Sequence, residues 1–271
     1  MAGTVVTITS GKGGVGKTTT TANLGVALAK RGKRVACVDA DIGLRNLDVV
    51  LGLENRIVYD IVDVVEGRAR IRQALIKDKR LPELQMLPAA QTRDKTAVNP
   101  QQMLHLVEEL KAEFDFVLID SPAGIEHGFK NAVAPADRVL IVTTPEVSAV
   151  RDADRIIGMV EASEKPKPTL ILNRLRPNMV KRGDMLATED VLEILAIDLI
   201  GIIPEDESII TSTNRGQPVA FEGKTQAGQA YERIAARLLG EEVPFAVFPA
   251  SSNVLARFQK WFRDSSGGGG A

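Results

Sequence analysis

Gly11-Lys12-Gly13-Gly14-Val15-Gly16-Lys17-Thr18 has the residue types and spacing to hold phosphate. It stands between the β-branched run Val5-Val6-Thr7-Ile8-Thr9-Ser10 and a helical stretch from Thr19 to Lys30. In that order, strand then loop then helix, G-x-x-x-x-G-K-[ST] is a phosphate cradle. Gly13, Gly14 and Gly16 let the backbone turn tightly around Val15, so that successive N–H groups point inward, and the helix start near Lys17 adds its positive dipole end. A polyphosphate is the expected guest, held from Gly13 to Thr19, with Lys17 on its β- and γ-phosphates and the Thr18 hydroxyl on Mg²⁺. Lys12 is the unusual residue, because a phosphate loop has no ordinary need of a second lysine there.

Carboxylates complete the chemistry. The apolar run Arg34 to Asp39 delivers Asp39-Ala40-Asp41-Ile42-Gly43-Leu44-Arg45-Asn46-Leu47-Asp48 to the end of a strand. Acids at strand ends beside a phosphate loop lie where open α/β sheets do chemistry. Phe114 to Asp120 is a second apolar run ending in an acid, and Asp120 is expected to hold Mg²⁺ through water. The loop Ser121-Pro122-Ala123-Gly124 can then bring its backbone near a γ-phosphate. Neither His105 nor His127 sits in an acid-base arrangement, and the lone Cys37 reads as a buried structural thiol.

Positioning these groups requires a sheet. Leu84 to Pro88, Arg138 to Pro145, Thr169 to Asn173 and Leu199 to Pro204 read as further strands. Pro100 to Phe114, Ser148 to Ala162, Thr188 to Leu195 and Thr225 to Leu239 read as helices. Continuous apolar strands alternating with helices predict an α/β fold, a doubly wound, mostly parallel sheet with helices on both faces. The expected organisation is a nucleotide domain over 1–244, a linker over 245–253, an amphipathic helix over 254–264 and a disordered tail over 265–271. Wound at helical pitch, Val254, Leu255, Phe258, Trp261 and Phe262 share an arc of about 120°, with Arg257, Lys260 and Arg263 opposite. Aromatic residues on one face and cations on the other suit a helix lying in a lipid interface; packing on the protein's own surface is the alternative.

Composition bounds the rest. The chain has 271 residues, 44% apolar and 25% charged, with a net charge of −1, which argues against holding nucleic acid by bulk electrostatics. No leader peptide and no run of about eighteen apolar residues is read, so a cytoplasmic location is expected.

The phosphate loop with its early lysine, the strand-end segment Asp39 to Asp48 and Asp120-Ser121-Pro122-Ala123-Gly124-Ile125-Glu126 together resemble the deviant Walker A (ParA/MinD) family of P-loop NTPases. The similarity runs to about Pro244 and favours the branch that positions bacterial division sites. Val150 to Arg155, Arg182 to Leu186 and Ile203 to Asp206 also match that branch. The resemblance implies a Mg²⁺-dependent ATPase that forms a homodimer around ATP. Lys12 matches the signature lysine that reaches the phosphates held by the other subunit. Asp41 matches the residue orienting the attacking water, Asp39 faces the Mg²⁺ shell and Asn46 lies at the γ-phosphate side. Asn173 and Pro204-Glu205-Asp206 resemble the adenine-holding positions. The implied partners are the division inhibitor MinC, the regulator MinE and the anionic inner face of the cell membrane, with no specific nucleic acid. The surface near Arg151, Asp152 and Asp154 is a candidate contact. A ParA-type DNA-partitioning ATPase is the alternative. A metabolic ATP-dependent enzyme would need an acceptor pocket, and a shared iron–sulfur cluster would need more cysteines than one.

Overall fold

The computed structural model describes residues 2–125 and 127–245. Eight strands, β1 (Thr4–Thr9), β2 (Val35–Asp39), β3 (Ile76–Lys77), β4 (Leu84–Leu87), β5 (Phe116–Asp120), β6 (Arg138–Thr143), β7 (Thr169–Leu175) and β8 (Asp198–Pro204), form one sheet in the order β3-β4-β2-β5-β1-β6-β7-β8. Every pairing is parallel except that of β3 with β4. The doubly wound α/β expectation therefore holds.

The central strands β1 and β5 are buried along almost their whole length because helices cover both faces. Val5, Val6 and Ile8 in β1 and Val117, Leu118 and Ile119 in β5 are all fully buried. One face packs on the helices Lys17–Lys30 and Gln226–Leu238, which lie side by side, the second directly against β8 where Ile234 covers Gly201, and Leu24, Leu28, Tyr231 and Ile234 share one core there. The other face carries the helices Pro100–Glu113 and Val147–Ala162 over separate stretches of sheet. The first helix begins at Lys17, two residues before the apolar pattern alone suggests, because the glycine-rich loop ends directly in it.

Expectation and structure differ most between β2 and β4. There the chain makes the short helices Leu47–Leu51, Ile61–Val65 and Ile71–Ala74, then the two-residue strand β3. None is long enough to establish a hydrophobic period. Their ends are set by local devices such as Asp60, whose carboxylate accepts from the amides of Val62 and Asp63. The helices His127–Val133, Pro177–Arg182 and Ser208–Asn214 escape sequence reading for the same reason.

The chain after Gln226–Leu238 is tied back to the sheet edge. Arg237 donates to the carbonyls of Ile200, Val243 and Pro244. The expected amphipathic helix with Val254, Leu255, Arg257, Phe258, Lys260, Trp261, Phe262 and Arg263 lies outside the described residues, as do the disordered tail and most of the linker. No helix among the described residues is long and apolar enough to cross a membrane.

Asn23 joins the phosphate-loop helix to the far side of this layer. Its Nδ2 donates to Thr19 O at 2.8 Å and its Oδ1 accepts from the Ala220 amide at 3.0 Å, all in the interior. Asn23→Ala strands that amide, so denaturant unfolding should show a loss of about 1–3 kcal/mol.

Candidate nucleotide site

β1 ends in the centre of the sheet and releases the glycine-rich loop there, at the strands' C-terminal edge. Gly14 at φ 77° and Gly16 at φ 101° take left-handed conformations. At Gly16 there is a second constraint: a Cβ would lie 2.4 Å from Asn173 Nδ2. Asn173, 3% exposed at the end of β7, uses that Nδ2 to donate to Val15 O at 2.7 Å. The helix that follows has no side-chain cap and no acid in its first turn, so its first amides are left for an anion.

Two acids stand side by side next to this loop. Asp39 and Asp120 are register partners on β2 and β5, each 1% exposed. Burial drives both carboxyls above the usual carboxylate range, and for Asp120 the charge of Asp39 adds to it. Asp39 is partly compensated, accepting from the amides of Asp41 at 3.0 Å and of Asn46 and Leu47 at 3.1 Å. It thereby fixes the loop that carries Asp41. Asp120 accepts from Thr21 Oγ1 at 3.3 Å, and the Thr18 hydroxyl also favours its charged form. Lys17 is 8% exposed; burial pulls its ammonium below the usual lysine range while Asp120 and Asp41 oppose that. Burial raises the Asp41 carboxyl, with Lys17 and Lys95 pulling the other way.

Lys17, Thr18, Asp39, Asp41 and Asp120 are thus brought together. Thr18 with one or two carboxylates is the donor set that Mg²⁺ takes when phosphate oxygens and water complete its shell. Among the described residues no group of three or more His, Cys, Asp or Glu is placed to hold a metal ion.

The remaining expected site residues are dispersed around this centre. Lys12 lies at the rim, its Nζ 3.1 Å from Ser148 Oγ and 3.8 Å from Glu146 Oε2. That pair is 43% and 58% exposed, a weak attachment easily exchanged. Beside it opens a cavity of about 1120 Å³ whose charged lining includes Arg151, Asp152, Arg155, Arg174, Arg176 and Glu205. The Asn46 side chain is exposed at the start of the helix Leu47–Leu51. On the opposite flank Pro204 ends β8, Glu205 pairs with Arg176 at 3.4 Å, and Asp206 accepts from the amides of Ser208 and Ala227. Burial works against the Asp206 charge, but those bonds and Thr225 hold its carboxyl below the usual range. Its side chain is committed to the chain's own turns.

Sequence reasoning passed over Thr21 and the lysine partners Glu146 and Ser148. Thr21 stands one helical turn beyond Lys17, a spacing that could have suggested it. Nothing local marks Glu146 or Ser148.

The fold, the loop and the paired strand-end acids define a P-loop nucleotide-binding protein. A family model described as "CobQ/CobB/MinD/ParA nucleotide binding domain" matches residues 6–219. The septum site-determining protein MinD of Synechocystis sp. is 58% identical over 252 residues, covering 93% of this chain and 95% of that protein. Among solved structures, the Aquifex aeolicus MinC:MinD cell division protein complex aligns at TM-score 0.84 with 53% identity, covering 90% of this chain and 99% of the other. MinD from Pyrococcus horikoshii complexed with Mg-ADP aligns at TM-score 0.77 with 30% identity, covering 87% and 95%. The chain belongs to the MinD family of septum site-determining proteins.

Asp39 and Asp120 have a measurable consequence without ligand. A carboxyl raised in the folded state stabilises the fold fully only below its unfolded value near 4, and loses that contribution as pH rises through the folded value. For Asp120, pushed up to about 7, the loss spans roughly pH 4 to 7. Asp120→Asn should therefore raise the melting temperature of the nucleotide-free protein at pH 8, with the gain shrinking towards pH 4. A shift independent of pH would contradict the raised Asp120 carboxyl.

Proposed function

We propose that this chain is an ATP-dependent, dimerising and membrane-associating ATPase that positions the bacterial division septum. When ATP-bound it recruits an inhibitor of division-ring assembly, and hydrolysis releases it. The observation that carries the reading is Lys12. A second lysine stands at the rim of a phosphate loop that already has one, half exposed and loosely held by Glu146 and Ser148. A cation there serves its own site poorly and a facing copy's site well.

ATP lies along Gly13, Gly14, Val15, Gly16 and Thr19, with Lys17 on the β- and γ-phosphates. Asn173, Pro204, Glu205 and Asp206 frame the adenine side. Thr18, and Asp120 through water, would hold Mg²⁺, with Asp39 behind them, and the ion would supply positive charge against the phosphates. Asn46 faces the γ-phosphate and Asp41 orients the attacking water. Proton acceptance contributes little, because phosphoryl transfer depends on positioning and charge. Lys12 of a second copy supplies positive charge where the transition state needs it, as an arginine finger does elsewhere.

Closing two copies on ATP brings two C-terminal segments to one surface. Over 254–264 each offers Val254, Leu255, Phe258, Trp261 and Phe262 to lipid and Arg257, Lys260 and Arg263 to anionic headgroups. One such helix binds marginally; two joined can gain about 10²–10⁴ in avidity. Attachment to the inner face of an otherwise cytoplasmic protein's membrane then reports bound ATP. The Aquifex aeolicus complex supports MinC as the recruited inhibitor. MinE is the expected stimulator of hydrolysis, with Arg151, Asp152 and Asp154 a candidate contact. The relatives being septum site-determining proteins favours this reading over ParA-type DNA partition.

Co-sedimentation with anionic lipid vesicles tests it. The full chain should pellet with a non-hydrolysable ATP analogue and stay in solution with ADP, while a version ending at Ser252 should stay in solution with both. Equal pelleting of the two versions, or no effect of nucleotide, would sink the membrane switch.

A further inference from the structure

Arg80 lies far along the sheet from the phosphate loop, yet it touches the helix Leu47–Leu51 that follows the Asp41–Asn46 segment. Its Nη2 donates to Leu51 O at 2.6 Å, the end of the helix Leu47–Leu51. Its Nη1 donates to Gly216 O at 2.8 Å, just past the helix Ser208–Asn214. The junction it spans is backbone on backbone: Gly52 and Gly216 both have positive φ, and a Cβ on Gly216 would lie 2.5 Å from Gly52 Cα. The guanidinium is fixed in turn by Asp78, 1% exposed, through Nε to Oδ1 at 3.0 Å and Nη2 to Oδ2 at 2.6 Å. The Phe221 ring lies 4.5 Å beneath it.

The helix that Arg80 holds at its C-terminal end is held at its N-terminal end by Asp39, through the amides of Asn46 and Leu47. Five residues of helix, about 7.5 Å, separate the two anchors. With the far end pinned, the pull of Asp39 on those amides sets the direction of Asn46 and the Asp41 loop instead of sliding the helix. Gly216 follows the helix Ser208–Asn214, so the guanidinium ties the end of Leu47–Leu51 to the turn after that helix. A lysine could match the charge of Asp78 but could not fork to two carbonyls and a carboxylate.

We propose that Arg80 is a positioning residue for ATP turnover: by bridging Leu51 O and Gly216 O it holds the helix Leu47–Leu51, and with it the Asp41–Asn46 segment, in place, while the Pro204–Asp206 segment keeps its own anchors in the amides of Ser208 and Ala227. The inference rests on the reading above that the Asp41–Asn46 segment serves the γ-phosphate. Arg80 does not touch the nucleotide, so its effect falls on turnover and not on retention.

Steady-state ATP turnover, ADP affinity and amide hydrogen exchange of the full chain test this in Arg80→Lys and Arg80→Gln, with Asp41→Ala beside them. Arg80→Lys keeps a cation on Asp78 and so guards against simple unfolding. Both Arg80 variants should turn over ATP at least about tenfold more slowly, approaching about 10²-fold. ADP affinity should stay within about threefold. Exchange should quicken at residues 46–53 but not in the helix Lys17–Lys30. Turnover at the unmutated rate in Arg80→Lys, or loss of ADP affinity equal to the loss of turnover, would overturn the proposal. If Asp41→Ala keeps full turnover, the underlying assignment of that segment fails instead; slow Asp41→Ala with unaffected Arg80 variants rejects Arg80 alone.

Discussion

Two carboxylates that do not want to be charged together govern this structure. Parallel pairing of β2 with β5 in register sets Asp39 opposite Asp120 at the ends of two buried strands, almost without solvent. Among the described residues neither forms an ion pair with a Lys or Arg within 4 Å. Asp39 is held by three backbone amides, and Asp120 by threonine hydroxyls and the field of Lys17. In ordinary structural terms such a pair is a liability. It becomes useful if a cation and a polyphosphate complete the site, because charge repulsion in the empty state turns into ligand attraction in the filled one.

The same acids reach beyond the phosphates. By holding the amides of Asp41, Asn46 and Leu47, Asp39 converts what happens beside it into the orientation of a loop and a short helix. On the other flank Asn173 ties the tip of β7 to Val15 in the phosphate loop, across a glycine that leaves no room for a side chain. The site is thus braced on both sides by the sheet, while the groups that would meet a second copy, Lys12 above all, are fastened by exposed contacts only. A centre braced by the sheet and a weakly held rim suit the proposed closing of two copies on ATP.

What could be read in the sequence was local. Val5 to Thr18 spells strand, loop and helix because each element's pattern is contiguous, and the apolar runs into Asp39 and Asp120 are continuous because both sheet faces are covered. The short helices from Leu47 to Ala74 and the strand β3 have no room for a period, and the sequence does not show them. Contacts between distant parts were hidden as well. Nothing in the letters around Lys12 points to Glu146, nothing around Arg80 points to Leu51 and Gly216, and Asp206, resembling an adenine-side residue, spends its carboxylate on the amides of Ser208 and Ala227.

The central claim is that Lys12 works on the nucleotide of a facing copy. Mixing chains carrying Lys12→Ala with chains carrying Asp41→Ala separates that arrangement from action within one chain. Each variant alone should be nearly inactive in ATP turnover. A mixed pair, however, rebuilds one complete site from the intact Asp41 of one chain and the intact Lys12 of the other. An equimolar mixture should recover about a quarter of the unmutated turnover, since half of randomly formed pairs are mixed and each holds one working site of two. A mixture no more active than the average of its components would contradict the account.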